Sequence, residues 1–170
     1  MTANMQNRSP QLLDWAAVLF FAAVLIADRF LPRGDLLWLR LAGVLVLLLS
    51  SIFMFLPFVA LMRHGHAEPG QSYLHTTVVV NRGIYSVVRH PQYLGYSLLT
   101  AGFMLISQHW LIVIFGLAAT VCFYLQAVVE ERYCRTRFGS AYDRYLQQVP
   151  RFNFFLGLLR RLTRAGKVTS

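Results

Sequence analysis

The sequence has little negative charge, few cysteines and no cluster built for a metal. Seven Asp and Glu stand against sixteen Lys and Arg in 170 residues, a formal net charge of +9. Only 14% of the residues are charged and 56% are hydrophobic, which is too apolar for an ordinary soluble domain. The two cysteines, Cys122 and Cys134, fall inside and just beyond one apolar segment, so no disulfide framework is implied. His64, His66, His75 and His90 come without a cysteine pair, an H-E-x-x-H or a second carboxylate ligand, so no metal is expected. A Walker loop, a dinucleotide glycine pattern and a Gly-x-Ser-x-Gly elbow are all missing, as are internal repeats and low-complexity tracts.

What is present is a set of long apolar blocks. A spanning helix needs about 20 apolar residues, and four segments qualify as candidates: Leu12–Phe30, Leu36–Met62, Tyr93–Ser107 and Trp110–Val129. The first resembles a signal peptide in length, but it has no basic leader beyond Arg8. Asp28-Arg29-Phe30 is not a small-residue cleavage site, so a retained helix is expected. With four spans both termini share a side. That side holds Arg8, Arg63, Arg82, Arg89 and the Lys and Arg residues from Arg132 to Lys167, against Arg29, Arg33 and Arg40 on the other. Positive residues favour the cytoplasmic face, which places both termini inside. Trp15, Trp38 and Trp110 fall at span ends, where aromatic belts sit. The basic excess therefore reads as topology and contact with anionic membrane lipids, with no nucleic acid partner.

The expected fold class is an all-α membrane protein of about four transmembrane helices. It carries one sizeable cytoplasmic loop, residues 63–92, and C-terminal amphipathic helices in the interface. Residues 1–62 form an anchoring hairpin, with Pro57 kinking its second helix. Residues 63–152 form a core, and 153–170 a basic amphipathic tail. Glu68-Pro69-Gly70 and Asn81-Arg82-Gly83 signal turns around Thr76–Val80, which is β-branched and expected to be extended. Gly95, Ser97, Thr100, Ala101 and Gly102 are small residues that allow the third and fourth spans to approach closely. Arg132–Gln148 interleaves Tyr133, Phe138, Tyr142 and Tyr145 with arginines and suits an interfacial helix, as does the segment after Phe152.

Two charged clusters stand out against this background. In Arg89-His90-Pro91, the proline restricts His90 to an extended backbone and itself suits the first position of a helix. A helix N-terminus presents unpaired N–H groups and partial positive charge, and Arg89 adds a full one. That is a seat for a carboxylate or phosphate, or simply for a lipid headgroup. Glu130-Glu131 closes the fourth apolar segment. Adjacent carboxylates near a membrane need solvent or a cation, which would be Arg132, Arg135 or a cationic ligand group. Phe123, Gln126, Ala127, Glu130 and Cys134 share one helical face, as a pocket lining or as plain packing.

Gly83-x-Tyr85, Arg89-His90-Pro91-Gln92-Tyr93-Leu94-Gly95, Glu130-Glu131, Phe138-Gly139, Tyr142, Tyr145 and Val149-Pro150, in that order, resemble the isoprenylcysteine carboxyl methyltransferase family and its phospholipid methyltransferase relatives. The resemblance spans about residues 75–152. It implies an integral membrane enzyme that uses S-adenosyl-L-methionine and methylates a hydrophobic acceptor. By the match, Thr77, Val78, Val79, Val80, Tyr85, His90, Pro91, Gln92, Tyr93 and Glu130 would contact the cofactor, with Gln71 adding a polar contact from the loop. Arg89, His90 and Glu131 are the candidate catalytic residues, and Gln126 the candidate acceptor contact. The chain departs from the prenylcysteine enzymes at two positions: Thr77 stands where they tend to have His, and Gln126 where they have an Arg associated with the substrate carboxylate. The acceptor class (carboxylate, thiol, amine or phospholipid) therefore stays open. The chain has fewer N-terminal spans than the eukaryotic members, and the expected location is a prokaryotic inner membrane.

Two other readings compete. Membrane sterol reductases carry a similar Arg-x-Pro-x-Tyr-x-Gly element and bind NADPH, but usually show Asn before the Tyr and an acidic residue after the Gly. Gln92 and Tyr96 occupy those positions here. The third reading is a non-catalytic membrane subunit with a degenerate site.

Overall fold

The computed structural model describes residues 8–65 and 77–168, so Gln71, His66 and His75 lie outside the described residues. Every regular element among the described residues is helical. In chain order these are α1 (Arg8–Phe30), α2 (Leu37–His64), a 3₁₀ turn (Gly83–Ser86), α3 (Pro91–Ser107), α4 (Trp110–Phe138), α5 (Ser140–Gln148) and α6 (Phe154–Val168). Residues 77–80, expected to be extended, form bends and coil without a strand. Among the described residues three helices are long and apolar enough to cross a membrane: α1 over Gln11–Phe30, α2 and α4. The chain is a membrane protein. At 17 residues α3 is about 25 Å long, short of the ~30 Å hydrocarbon core.

The chain forms two compact units, Met1–Ile52 with Tyr93–Val129, and Phe53–Gln92 with Glu130–Ser170. In the first unit large apolar side chains face outward, among them Trp15, Leu19, Trp38, Leu45 and Trp110, each at least 65% exposed. An outer surface of this kind suits lipid. Ala17 of α1 packs with Ala119, Cys122 and Phe123 of α4, and Tyr93 and Tyr96 lie against them. The small residues of α3 serve mainly α2, not only α4 as the sequence suggested. A Cβ on Gly102 would lie 2.4 Å from Leu47 Cδ2, and one on Gly43 would lie 2.9 Å from the Gly102 carbonyl oxygen. Ser50 Oγ donates to the Gly95 carbonyl oxygen at 2.9 Å. Thr100 does reach α4, where its hydroxyl meets that of Thr120 at 3.1 Å.

The tight return between α3 and α4 is clasped to the α1–α2 loop. Gln108 adopts a positive φ of 54°. Its side-chain amide then donates to the Leu36 carbonyl at 2.8 Å and accepts from the Leu36 N–H at 3.1 Å. The Gly34 N–H donates to the Ser107 carbonyl at 3.0 Å, and Ser107 Oγ donates to Asp28. These bonds satisfy backbone groups that would otherwise lie unpaired at the ends of apolar helices.

In the second unit, α4 runs through Glu130-Glu131 to Phe138 instead of stopping at Val129. Glu, Arg and Tyr end the hydropathy of the span but not its helical propensity. Gly139, at φ 55°, then breaks the helix before α5. The interfacial helix expected over Arg132–Gln148 is therefore two pieces. Tyr142 and Tyr145 of α5 are buried, packed with Val149 and against Val79, Cys134, Phe138 and Leu146. Asn153 Oδ1 accepts the Leu156 N–H at 2.9 Å and caps α6.

Candidate functional site

The Arg89–Pro91 segment is held from the chain that follows α5. The Arg89 N–H donates to the Pro150 carbonyl at 3.0 Å and the His90 N–H to the Arg151 carbonyl at 3.4 Å. The imidazole of His90 meets the Phe152 ring edge-on at 6.4 Å between centroids. Pro91 begins α3, as its ring geometry requires. His90 thus sits immediately before a helix N-terminus, with its position fixed by backbone bonds on one side.

The two glutamates at the end of the fourth apolar block have opposite surroundings. Glu131 is 7% exposed and enclosed by three cationic or potentially cationic groups. Arg89 Nη2 lies 3.0 Å from its Oε1. His90 Nε2 lies 3.2 Å from the same oxygen. Arg151 grips both oxygens, Nε to Oε1 at 3.0 Å and Nη2 to Oε2 at 2.7 Å. The bidentate Arg151 contact is the strong, planar form of this pairing. With Glu131 as carboxylate, His90 Nε2 carries the proton and donates it. Burying a carboxylate is costly unless its oxygens are fully paired, and here they are.

Glu130 is different. Its side chain is 48% exposed and faces His90 Nδ1 at 3.8 Å, beyond hydrogen-bond length. The imidazole therefore lies between two carboxylates, 3.2 Å from one and 3.8 Å from the other. Tyr85 belongs to the same group. Burial raises its phenol well above the ordinary range, and the Glu130 charge raises it further, so the O–H stays protonated. Burial likewise lifts the phenols of Tyr142 and Tyr145. Tyr145 Oη donates to the Tyr85 carbonyl at 2.8 Å, which fixes the 3₁₀ turn in place.

Arg89 has one further property. Its Nη1 donates to the Leu146 carbonyl at 2.7 Å, its Nη2 reaches Glu131, and its Nε is buried with no hydrogen-bond partner among the described residues. A cavity of about 560 Å³ is lined by Arg89, Glu131, Arg135, Asp143, Leu146, Gln147 and Arg151. A second, of about 460 Å³, is lined by Thr77, Val78, Val79, Asn81, Phe138, Ala141, Arg144, Tyr145 and Gln148. Both volumes fall in the range of small-molecule sites.

The structure thus brings Arg89, His90, Tyr85, Glu130 and Glu131 together in the second unit, with Pro91 buried and Gln92 exposed at the start of α3. Of the loop candidates, Thr77, Val78 and Val79 line the second cavity, while Val80 is buried at 9% exposure. Two candidates belong to the first unit. Tyr93 packs beside Tyr96, and Gln126, 8% exposed, donates from its amide nitrogen to Asp14 Oδ1 at 2.5 Å. The partners of Glu131 correct the sequence reading. Arg135 pairs with Asp143 on α5 at 3.1 Å instead, and Arg151 takes the place expected of it. Sequence reasoning missed Arg151, whose one signal is its position directly after Val149-Pro150. Among the described residues no group of His, Cys, Asp and Glu is arranged to hold a metal ion.

Comparison with known proteins gives the site a context. The phospholipid methyltransferase family model matches residues 38–141. The chain is 32% identical over 92 residues to the protein-S-isoprenylcysteine O-methyltransferase of Schizosaccharomyces pombe, covering 49% of this chain and 39% of that protein. It is 29% identical over 114 residues to the Delta(14)-sterol reductase LBR of Gallus gallus, covering 59% of this chain and 17% of that protein. The chain thus spans well under half the length of either curated relative. No solved structure gives a significant match. The family match takes in the Arg-His-Pro segment and the acidic pair and covers more than half of the chain. By that match, the chain belongs to the phospholipid methyltransferase family.

Proposed function

We propose that the protein transfers a methyl group from S-adenosyl-L-methionine to a hydrophobic or lipid-like acceptor at the cytoplasmic face of a membrane. The observation that carries this reading is the division of the acidic pair. Glu131 is enclosed by Arg89, His90 and Arg151, whereas Glu130 is half-exposed beside His90 and Tyr85.

The donor set in the second unit fits the cofactor's polar end. An amino-acid moiety carries an ammonium, for which Glu130 offers a carboxylate. It also carries a carboxylate, for which the N-terminus of α3 offers its partial positive charge and Arg89 an unpartnered buried Nε. The about 460 Å³ cavity beside Thr77, Val78 and Val79 is large enough for a nucleoside. When bound, the cofactor supplies an electrophilic methyl group on a sulfonium. The chain's own task is then alignment and exclusion of water, and alignment alone can contribute about 7–11 kcal/mol to rate acceleration. Arg89 and Glu131 act as positioning residues that hold His90. A carboxylate or thiolate acceptor needs no general base. An amine acceptor must lose a proton, and Glu130 or His90 is the group proposed to take it. In the first unit, Gln126 is the proposed polar contact for the acceptor. With α3 as a fourth crossing, the distribution of Lys and Arg puts both termini on the cytoplasmic side.

The reductase relative supplies the competing reading. Calorimetric titration of the purified protein in detergent micelles with S-adenosyl-L-methionine and with NADPH decides between them. Saturable binding of the first alone is expected. Saturable NADPH binding without S-adenosyl-L-methionine binding would make the chain a reductase relative in function. Binding of neither would leave it a non-catalytic subunit.

A further inference from the structure

The helix α6 is built with two different apolar surfaces. One faces its own unit. Phe154 meets Phe53 edge-on at 5.3 Å between centroids, and Gly157 is buried so tightly that a Cβ there would lie 1.7 Å from the Val87 carbonyl oxygen. The other surface is exposed among the described residues. Phe155, Leu158, Leu159 and Leu162 follow i, i+3, i+4, i+7 spacing and so share one face. Phe155 is 83% exposed, Leu159 60% and Leu162 62%. Arg160 and Arg161 lie beyond the edges of this face, exposed and without an ion pair among the described residues, and Phe154–Val168 contains no acidic residue. Arg164 is occupied differently, donating to the Gln148 carbonyl at the end of α5.

A second copy of this chain is a poor occupant for such a face, because the arginine charges of two copies would repel. An anionic lipid surface matches both features. Acyl chains accept the apolar stripe and headgroups neutralise the arginines. The helix α5, which the sequence marks as equally interfacial, has its tyrosine face buried within the unit, so α6 is the element left open. We propose that α6 docks in the plane of an anionic lipid surface through Phe155, Leu158, Leu159 and Leu162, with the long side chains of Arg160 and Arg161 reaching the headgroups. We propose further that this docking steadies the Val87–His90 segment from behind. The link is direct. Gly157 abuts Val87, and the residues just before α6 bond the backbone of Arg89 and His90.

The test needs neither the cofactor nor activity, so it stands apart from the proposed function. Full-length protein is placed in lipid nanodiscs of phosphatidylcholine alone or of equal phosphatidylcholine and phosphatidylglycerol. Amide hydrogen exchange is then followed in peptides covering residues 154–168 and 83–92. In the mixed discs exchange over 154–168 is expected to slow by roughly tenfold or more, with residues 83–92 slowing in parallel. The difference should shrink at high salt and vanish in Arg160→Glu/Arg161→Glu. Both substitutions lie on the exposed surface and are expected to leave the thermal midpoint unchanged. Equal exchange in the two lipids, or a difference that survives the charge reversal, would overturn the docking. Slowing confined to 154–168 would overturn the link to the site. Protection that grows with protein per disc in phosphatidylcholine alone would assign the face to a second copy and overturn the lipid assignment.

Discussion

The two units of this chain handle polar groups in opposite ways. In the first, polar side chains within the helices are bonded in separate contacts, mostly between neutral groups: Ser50 to a carbonyl, Thr100 to Thr120, Gln126 to Asp14. Its recorded ion pairs, Asp28–Arg33 and Asp35–Arg40, belong to the α1–α2 loop and its edges. In the second unit, Arg89, His90, Glu130, Glu131 and Arg151 converge on one place. A lipid-exposed unit can tolerate polar side chains only where each is satisfied locally. A reacting centre needs charge held in fixed positions. The difference separates a unit whose polar groups are satisfied locally from one whose charges converge, although the helices α2 and α4 contribute residues to each.

Substitutions can break this contrast in graded steps. Glu131→Ala should have the largest effect. It leaves Arg89, His90 and Arg151 facing one another around a buried gap, at a cost of about 3–5 kcal/mol, read as a lowered thermal midpoint in detergent. Little change in that midpoint would show that the knot contributes nothing to the second unit. Gly157→Ala comes next. The obstructing neighbour is the Val87 backbone, which cannot rotate away, so overpacking should cost about 1–3 kcal/mol. A wild-type midpoint for this variant would mean that α6 is not held against Val87. Ser50→Ala, in the first unit, should be the mildest, since interhelical hydrogen bonds of this kind in membranes average about 0.6 kcal/mol. If it proved as damaging as Glu131→Ala, the contrast between the units would fail.

Much of this arrangement is legible in the residues themselves. Pro91 marks the start of α3, because its ring geometry fits only the first helical turn and constrains His90 before it. The long apolar blocks mark α1, α2 and α4. The length of α4 is not legible, because hydropathy reports the solvent around a helix and not its backbone. The helix therefore continues past Val129 through charged residues that favour helix well. The role of α5 is hidden for a related reason. Tyrosines interleaved with arginines read as interfacial, yet Tyr142 and Tyr145 are buried within the unit. The acidic pair is recognisable in the sequence as a candidate site, but the different surroundings of its two members are not. That depends on Arg151, which reaches Glu131 only through the turn at Val149-Pro150.

The central claim is that Glu130 faces the cofactor while Glu131 holds the segment beside it. Calorimetric titration of S-adenosyl-L-methionine into wild type and Glu130→Gln tests it most directly. The account predicts that the variant keeps the wild-type thermal midpoint and binds at least tenfold more weakly, a loss of roughly 1.4 kcal/mol. Unchanged affinity in the folded variant would contradict it.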